Sequence, residues 1–143
     1  MKVNIILIVV SILFSLTAYT QNNKSGYIFA LSVDLYINTS SRVSCDNFAT
    51  VFEKILTANK ISQNDSINMF LTFVRNVKYS RKNRGVDVRS KFIFESDTGS
   101  KTIVCSNEHF IIVNGRLIKQ NKKFSEFLNS LVHEKGGSLK KGI

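Results

Sequence analysis

The sequence lacks the motifs that usually identify an enzyme or a metalloprotein. It contains no GxSxG nucleophile elbow, no HExxH helix and no glycine-rich phosphate loop. The two cysteines do not form a CxxC pair, and the two histidines, His109 and His133, stand alone, so the usual spacing of zinc ligands is missing. Proline and internal repeats are also absent. No motif in the sequence therefore indicates a catalytic residue, a metal or a cofactor.

The first residues have the pattern of a secretory signal peptide. Lys2 supplies a positive charge, and eleven of the fourteen residues from Ile5 to Ala18 are apolar. This run is shorter than the roughly 20 apolar residues of a membrane-spanning helix, and small residues at Ala18 and Thr20 suit a peptidase site. We predict a secreted or periplasmic protein with no membrane span after cleavage, the alternative being an uncleaved anchor. The predicted divisions are a signal peptide over 1–20, a flexible leader over 21–25, a single α+β domain over 26–135 and a basic tail over 136–143.

Cys45 and Cys105 are expected to form a disulfide. Export would place them in an oxidising compartment, where an even number of cysteines indicates a bridge. Two cysteines allow a single pairing. The bridge would close a loop of about 60 residues and, in the chain-entropy model, would stabilise the fold by about 4 kcal/mol.

Acidic residues are scarce, and the chain is strongly basic. There are 20 Lys and Arg against 10 Asp and Glu, a formal net charge of +10. Between residues 75 and 91, the basic side chains are opposed only by Asp87, which we expect to pair with Arg89 on the same strand face. Such a segment either binds an anionic partner or forms a solvated loop that favours solubility. The predicted binding patch consists of Arg75, Lys78, Tyr79, Arg81, Lys82, Arg84, Arg89 and Lys91.

Hydrophobic periodicity predicts one strand and two helices in the first half of the domain. Apolar residues alternate from Tyr27 to Ile37, and the wholly apolar odd-numbered face is expected to meet the core. A helix is predicted over about 46–58, because apolar residues recur there at three- and four-residue intervals. A second helix is predicted to begin at Ser62, with an apolar stripe that ends at Val77.

The pattern of the second half predicts four short strands and a final helix. Alternation resumes at Val86, turns are expected at 97–100 and at Asn114-Gly115, and the strands form a meander over 86–119. A helix over about 122–135 begins near Asn121. The predicted fold class is α+β: a mostly antiparallel sheet, made of one N-terminal strand and the four-stranded meander, with two or three helices on one face. The element order is β-α-α-β-β-β-β-α, and the strand order is left open.

The sequence is compatible with three classes of function. The leading interpretation is a small secreted or periplasmic binding protein without enzymatic activity, acting as an inhibitor or immunity-type protein or as a binder of an anionic surface. Its partner would be an unidentified protein or an anionic envelope polymer; nucleic acid is disfavoured by the signal peptide and by the absence of a nucleic-acid module. The alternatives are a small secreted hydrolase that uses His109 with Asp87 or Glu108, and a subunit of an envelope assembly that uses an exposed sheet edge or face.

Overall fold

A computed structural model describes residues 25–34, 37–81 and 85–133. The predicted signal peptide, leader residues 21–24, the basic tail, Lys82 and Arg84 lie outside the described residues. The α+β class is confirmed: within the described ranges, three helices accompany a six-stranded antiparallel sheet. In chain order, the elements are β1 (Gly26–Ser32), α1 (Phe48–Val51), β2 (Thr57–Ile61), α2 (Asn64–Arg75), β3 (Ser90–Ser96), β4 (Lys101–Ser106), β5 (Ile111–Val113), β6 (Arg116–Leu117) and α3 (Lys122–His133).

The sheet has the strand order β2-β1-β3-β4-β5-β6, and every neighbouring pair is antiparallel. The predicted meander is confirmed as β3 to β6. Its last hairpin turns at Asn114 and Gly115, whose φ values of 47° and 77° are the positive angles that a tight two-residue hairpin turn requires. The strand order left open by the sequence is now fixed: β1 pairs with both β2 and β3 and lies inside the sheet.

Helices α2 and α3 cover one face of the sheet, here called the helix face. Their predicted apolar stripes are confirmed, since Ile67, Phe70, Phe124 and Leu128 are buried in one core with the sheet. The Asn121 side chain accepts a hydrogen bond from the Phe124 N–H, so Asn121 caps α3, which begins at the predicted place. In the described residues, no helix has the length and apolar character needed to cross a membrane.

The opposite face of the sheet, here called the loop face, carries a second and smaller core. It is covered by α1, by the loop before α1 and by residues 85–88, which bury Val43, Phe48, Phe52 and Val88. The predicted disulfide is present and joins Cys45, just before α1, to Cys105 on β4. The bridge therefore ties the short helix to the loop face, whereas the two long helices pack on the other side without it.

The predicted helix over 46–58 is wrong in its extent. Only Phe48–Val51 is helical, and the chain then turns and forms β2, a strand that the sequence pattern did not indicate. Pairing with β1 satisfies the backbone of this segment and buries Ile61 against Ile28, while Val51 and Ile55 of the expected apolar stripe stay exposed. Tertiary strand pairing here overrides the local helical pattern.

Two predicted strand faces are also corrected. In β1 the even-numbered Ile28 and Ala30 are buried against the helices, because the pairing with β2 and β3 sets the register and both faces of the strand begin apolar. Of the odd-numbered residues, Leu31 packs against the smaller loop-face core. The strand predicted from Val86 begins at Ser90. Val88 instead donates its N–H to the Val43 carbonyl and packs in the loop-face core, so its side chain does not share a face with Phe92.

Candidate functional site: a basic edge beside the meander

The basic patch expected from the sequence is divided between two parts of the molecule. Arg89 forms an ion pair with Asp87, as expected, and its side chain is only 13% exposed. The Lys91 ammonium donates to the Cys45 carbonyl at 2.9 Å. Both cations therefore hold the loop face together. Arg75 is exposed at the end of α2, whereas Lys78, Tyr79 and Arg81 lie along an edge of the sheet.

This edge is formed by an antiparallel bridge between Tyr79 and Ile118. The Ser80 N–H donates to the Leu117 carbonyl at 2.9 Å, and the Lys119 N–H donates to the Lys78 carbonyl at 2.7 Å. The segment 78–81 is thus fixed alongside β6 and the residues that follow it. The pairing adds Arg116 and Lys119 to the predicted patch residues. We call Lys78, Tyr79, Arg81, Arg116 and Lys119 the basic edge.

Arg116 stacks on Tyr79, with its guanidinium carbon 4.0 Å from the ring centroid. This distance is typical of a cation–π contact, which orients the guanidinium without neutralising it. None of the ion pairs among the described residues includes Lys78, Arg81, Arg116 or Lys119. The basic edge therefore presents four cations that are available to an outside partner.

Sequence reasoning missed Arg116 and Lys119 as members of this surface. The Asn114-Gly115 turn did place Arg116 at the start of a strand, which was a usable local signal. The neighbour of that strand is a segment more than thirty residues earlier in the chain, at Tyr79. No local pattern in the sequence specifies that pairing.

His109, the candidate base of the hydrolase alternative, lies on an exposed turn. Its side chain is 74% exposed, and its Nε2 is 3.9 Å from the nearest Glu108 oxygen, beyond hydrogen-bond distance. The Asn107 side chain organises this turn by accepting the His109 and Phe110 N–H groups. His109 does border a shallow depression of about 240 Å³ together with Glu108 and Asp87. No hydrogen bond among the described residues orients its ring.

Asp87 has a structural role that occupies both of its carboxylate oxygens. One oxygen accepts the Val43 N–H at 2.8 Å, and the other accepts from Arg89. The Asn107 amide in turn donates to the Asp87 carbonyl at 3.0 Å. A carboxylate with these partners serves to fasten the loop before α1 to the sheet, and the geometry gives the hydrolase alternative no support.

The uncovered part of the loop face carries a small aromatic cluster. Tyr27 and Phe29 meet edge to face, with ring centroids 4.9 Å apart, and the Lys60 ammonium is 4.3 Å from the Tyr27 centroid. Desolvation, reinforced by the nearby Glu95 carboxylate, raises the pKa of Tyr27 above its ordinary value. The cluster supports β1 and β2 and has no poised reactive group.

Comparisons with known proteins assign no relative. No protein-family model, no curated protein and no solved structure matches this chain.

Proposed function

We propose that this protein is a secreted or periplasmic binding protein that holds an anionic envelope polymer at the basic edge. The observation that carries the proposal is the bridge between Tyr79 and Ile118, which gathers basic residues from two distant segments on one rigid edge. The predicted signal peptide and the disulfide between Cys45 and Cys105 support an exported protein.

The arrangement of the cations suits an extended polyanion. Arg116 lies on β6 and Lys119 just after it, while Lys78 and Arg81 come from the segment paired with them. Backbone hydrogen bonds fix both segments, so little of their conformational freedom is lost on binding. Arg116 adds a planar fork of donors, already oriented by Tyr79, that matches carboxylate or phosphate oxygens.

Charge reversal on the basic edge tests the proposal. The double variant Arg116→Glu and Lys119→Glu should bind heparin about tenfold more weakly at moderate salt, because each exposed ion pair contributes up to about 1 kcal/mol. Binding by the unmodified protein should weaken steeply as salt is raised. Affinity is measured by retention on a heparin column and by titration.

The matched control is Lys54→Glu with Lys60→Glu, which makes the same change in net charge at two other exposed positions. Equal weakening by both double variants would mean that net charge alone attracts the polymer. The proposal that the polymer binds at the basic edge would then be wrong. Passage of the unmodified protein through heparin at low salt would contradict the proposal. Stoichiometric capture of one acidic protein would contradict the polymer and would indicate that this chain is an inhibitor or immunity-type protein.

A further inference from the structure

The two edges of the sheet differ in how they are closed. At the edge formed by β6, the segment 78–81 covers the strand through the bridge between Tyr79 and Ile118 and through two further backbone bonds. The other edge is β2, whose only neighbouring strand among the described residues is β1. A bare edge strand offers unpaired N–H and C=O groups to any extended chain that reaches it.

The backbone bonds of β1 show which groups of β2 point outward. The ladder between β1 and β3 continues past both of its ends, where the Val33 N–H donates to the Arg89 carbonyl at 3.2 Å and the Asp97 N–H donates to the Ser25 carbonyl at 3.3 Å. Odd-numbered residues of β1 therefore bond to β3. Because bonding alternates along an antiparallel strand, the even-numbered residues of β1 bond to β2.

This alternation assigns the inward and outward positions of β2. Thr57, Asn59 and Ile61 are opposite the even-numbered residues of β1, so their backbone groups face β1. Ala58 and Lys60 face the other way, and no described residue bonds to their outward N–H and C=O groups. The edge thus presents two donors and two acceptors at alternate residues.

β2 has few of the features that keep edge strands from pairing. Its register with β1 runs without a bulge from Thr57 to Ile61, and the strand contains no proline. The ammonium of its one charged side chain, Lys60, is 4.3 Å from the ring centroid of Tyr27. Since Tyr27 lies on β1, the Lys60 side chain leans away from the open edge. The length of five residues limits pairing to a short segment.

The charge of the molecule favours an acidic partner over a second copy. The chain has a formal net charge of +10, which repels another copy and attracts an acidic chain. Lys60 is exposed, and none of the ion pairs in the described ranges includes it. The nearest carboxylates along the chain, Glu53 and Asp65, lie outside β2, and Glu95 beside Tyr27 is paired with Lys101.

The faces of β2 specify where an acidic side chain would lie. Asn59 and Ile61 are buried on the helix face, so Ala58 and Lys60 carry their side chains on the loop face. A residue directly across from Lys60 in an added strand shares that face. There, an acidic side chain reaches the ammonium as an opposite-charge cross-strand pair.

We propose that β2 binds an extended acidic segment of another protein, which adds to the sheet as an antiparallel strand. Backbone bonds at Ala58 and Lys60 supply the affinity, and acidic side chains at alternate positions supply the selectivity. β2 and the basic edge lie at opposite ends of the sheet. The proposal therefore goes beyond polymer binding at the basic edge and does not depend on it.

A capped peptide of alternating Glu and Val tests the edge, with a peptide of alternating Lys and Val for comparison. In the free, oxidised protein, the amides of Ala58 and Lys60 should exchange with solvent faster than those of Asn59 and Ile61, which bond to β1. Adding the acidic peptide should slow exchange at Ala58 and Lys60, because their N–H groups gain acceptors. Equal protection of all four amides in the free protein would show that the edge is already occupied and would overturn the proposal.

Methylated peptides show whether the backbone of the peptide pairs with β2. Two versions of the acidic peptide carry N-methyl groups on either the Glu amides or the Val amides. In an antiparallel pairing with Glu opposite Lys60, the Glu N–H groups point toward β2 and the Val N–H groups point away. Methylation of the Glu amides should therefore abolish binding and methylation of the Val amides should not. Equal effects of the two versions would contradict strand addition.

Variants of β2 separate backbone pairing from side-chain contacts. Ala58→Pro removes one outward N–H at a position where an edge strand tolerates proline, and it should weaken binding at least about tenfold. Ala58→Val keeps the N–H and should bind like the unmodified protein. Lys60→Glu should weaken binding of the acidic peptide about tenfold, whereas Lys54→Glu, the same change at an exposed residue before the strand, should have a smaller effect.

Three results would overturn the proposal. The acidic peptide could leave exchange at Ala58 and Lys60 unchanged, the Lys and Val peptide could bind as tightly, or concentrated protein alone could protect these amides, which would make a second copy the occupant. Ala58→Pro should keep the heparin affinity of the unmodified protein. The double variant Arg116→Glu and Lys119→Glu should still show slowed exchange at 58 and 60 with the acidic peptide, so the failure of one proposal is distinguishable from the failure of the other.

Discussion

The two faces of the sheet are stabilised in different ways. On the helix face, two amphipathic helices bury a continuous apolar core in which the Phe124 ring stacks on Phe73 at 4.9 Å. The loop face has a four-residue helix and irregular chain, so it relies on the Cys45–Cys105 disulfide, the Asp87 carboxylate and the Lys91 ammonium. Regular elements with repeating apolar positions need little beyond packing. Irregular chain has no repeating pattern and needs specific bonds to hold it in place.

The largest expected effect comes from truncating an aromatic side chain of the helix face. Phe124→Ala should lower the free energy of unfolding by about 4 kcal/mol, because it removes a fully buried ring and leaves a cavity between rigid elements. Phe48→Ala removes an equally buried ring from the loop face, where irregular chain can relax into the space. It should cost less, and urea unfolding measures both changes. A larger loss for Phe48→Ala would reverse the ranking of the two faces.

Removing the disulfide should affect the loop face selectively. Replacing both Cys45 and Cys105 with Ala should lower stability by about 2 to 4 kcal/mol, since the closed loop no longer restricts the unfolded chain. Hydrogen exchange should become faster in 43–52 and 86–88, where the loop face is assembled, than in α2 and α3. Uniform acceleration in all of these segments would show that the two faces open as one unit.

The smallest effect distinguishes a carboxylate paired with a nearly buried arginine from one paired with an exposed lysine. Asp87→Asn should cost about 1 to 3 kcal/mol, because it removes the charge that partners Arg89, whose Nη1 is already buried and has no partner among the described residues. Glu95→Gln is the control, since Glu95 pairs with the exposed Lys101 at 3.5 Å. That change should cost less than about 1 kcal/mol. Thermal unfolding of the two variants compares them, and equal losses would remove the special role of Asp87.

Local patterns predicted the parts of the fold that depend on near neighbours. The stripes of α2 and α3 and the Asn114-Gly115 turn all arise from residues a few positions apart, and the structure contains each of them. The prediction of α1 was wrong in extent because Val51 and Ile55 fit a helical stripe. The pairing of Thr57–Ile61 with β1 outweighs that helical pattern, and it joins residues far apart in the chain.

The candidate surfaces show the same division. Arg75 to Lys91 stood out as basic in the sequence, yet Arg89 and Lys91 bind partners within the loop face. Arg116 and Lys119 instead lie beside the segment that contains Tyr79. A row of hydroxyl residues crosses four adjacent strands of the sheet, at Thr57, Ser32, Ser90 and Ser106. No local pattern in the sequence indicates this row, because its members are single residues on separate strands. Only the register of four strands aligns them.

The sequence by itself determined the α+β class, the apolar faces of the two long helices, the final hairpin and the pairing of the two cysteines. Each follows from short-range periodicity, from a turn dipeptide or from the presence of two cysteines, which allow a single pairing. The tertiary structure alone decided which face of β1 meets the helices, that β2 exists, and which side chains meet at the basic edge. Those outcomes depend on strand register, which is set by the packing of distant segments, and β1 is apolar on both faces where it begins, so its own pattern leaves the choice open.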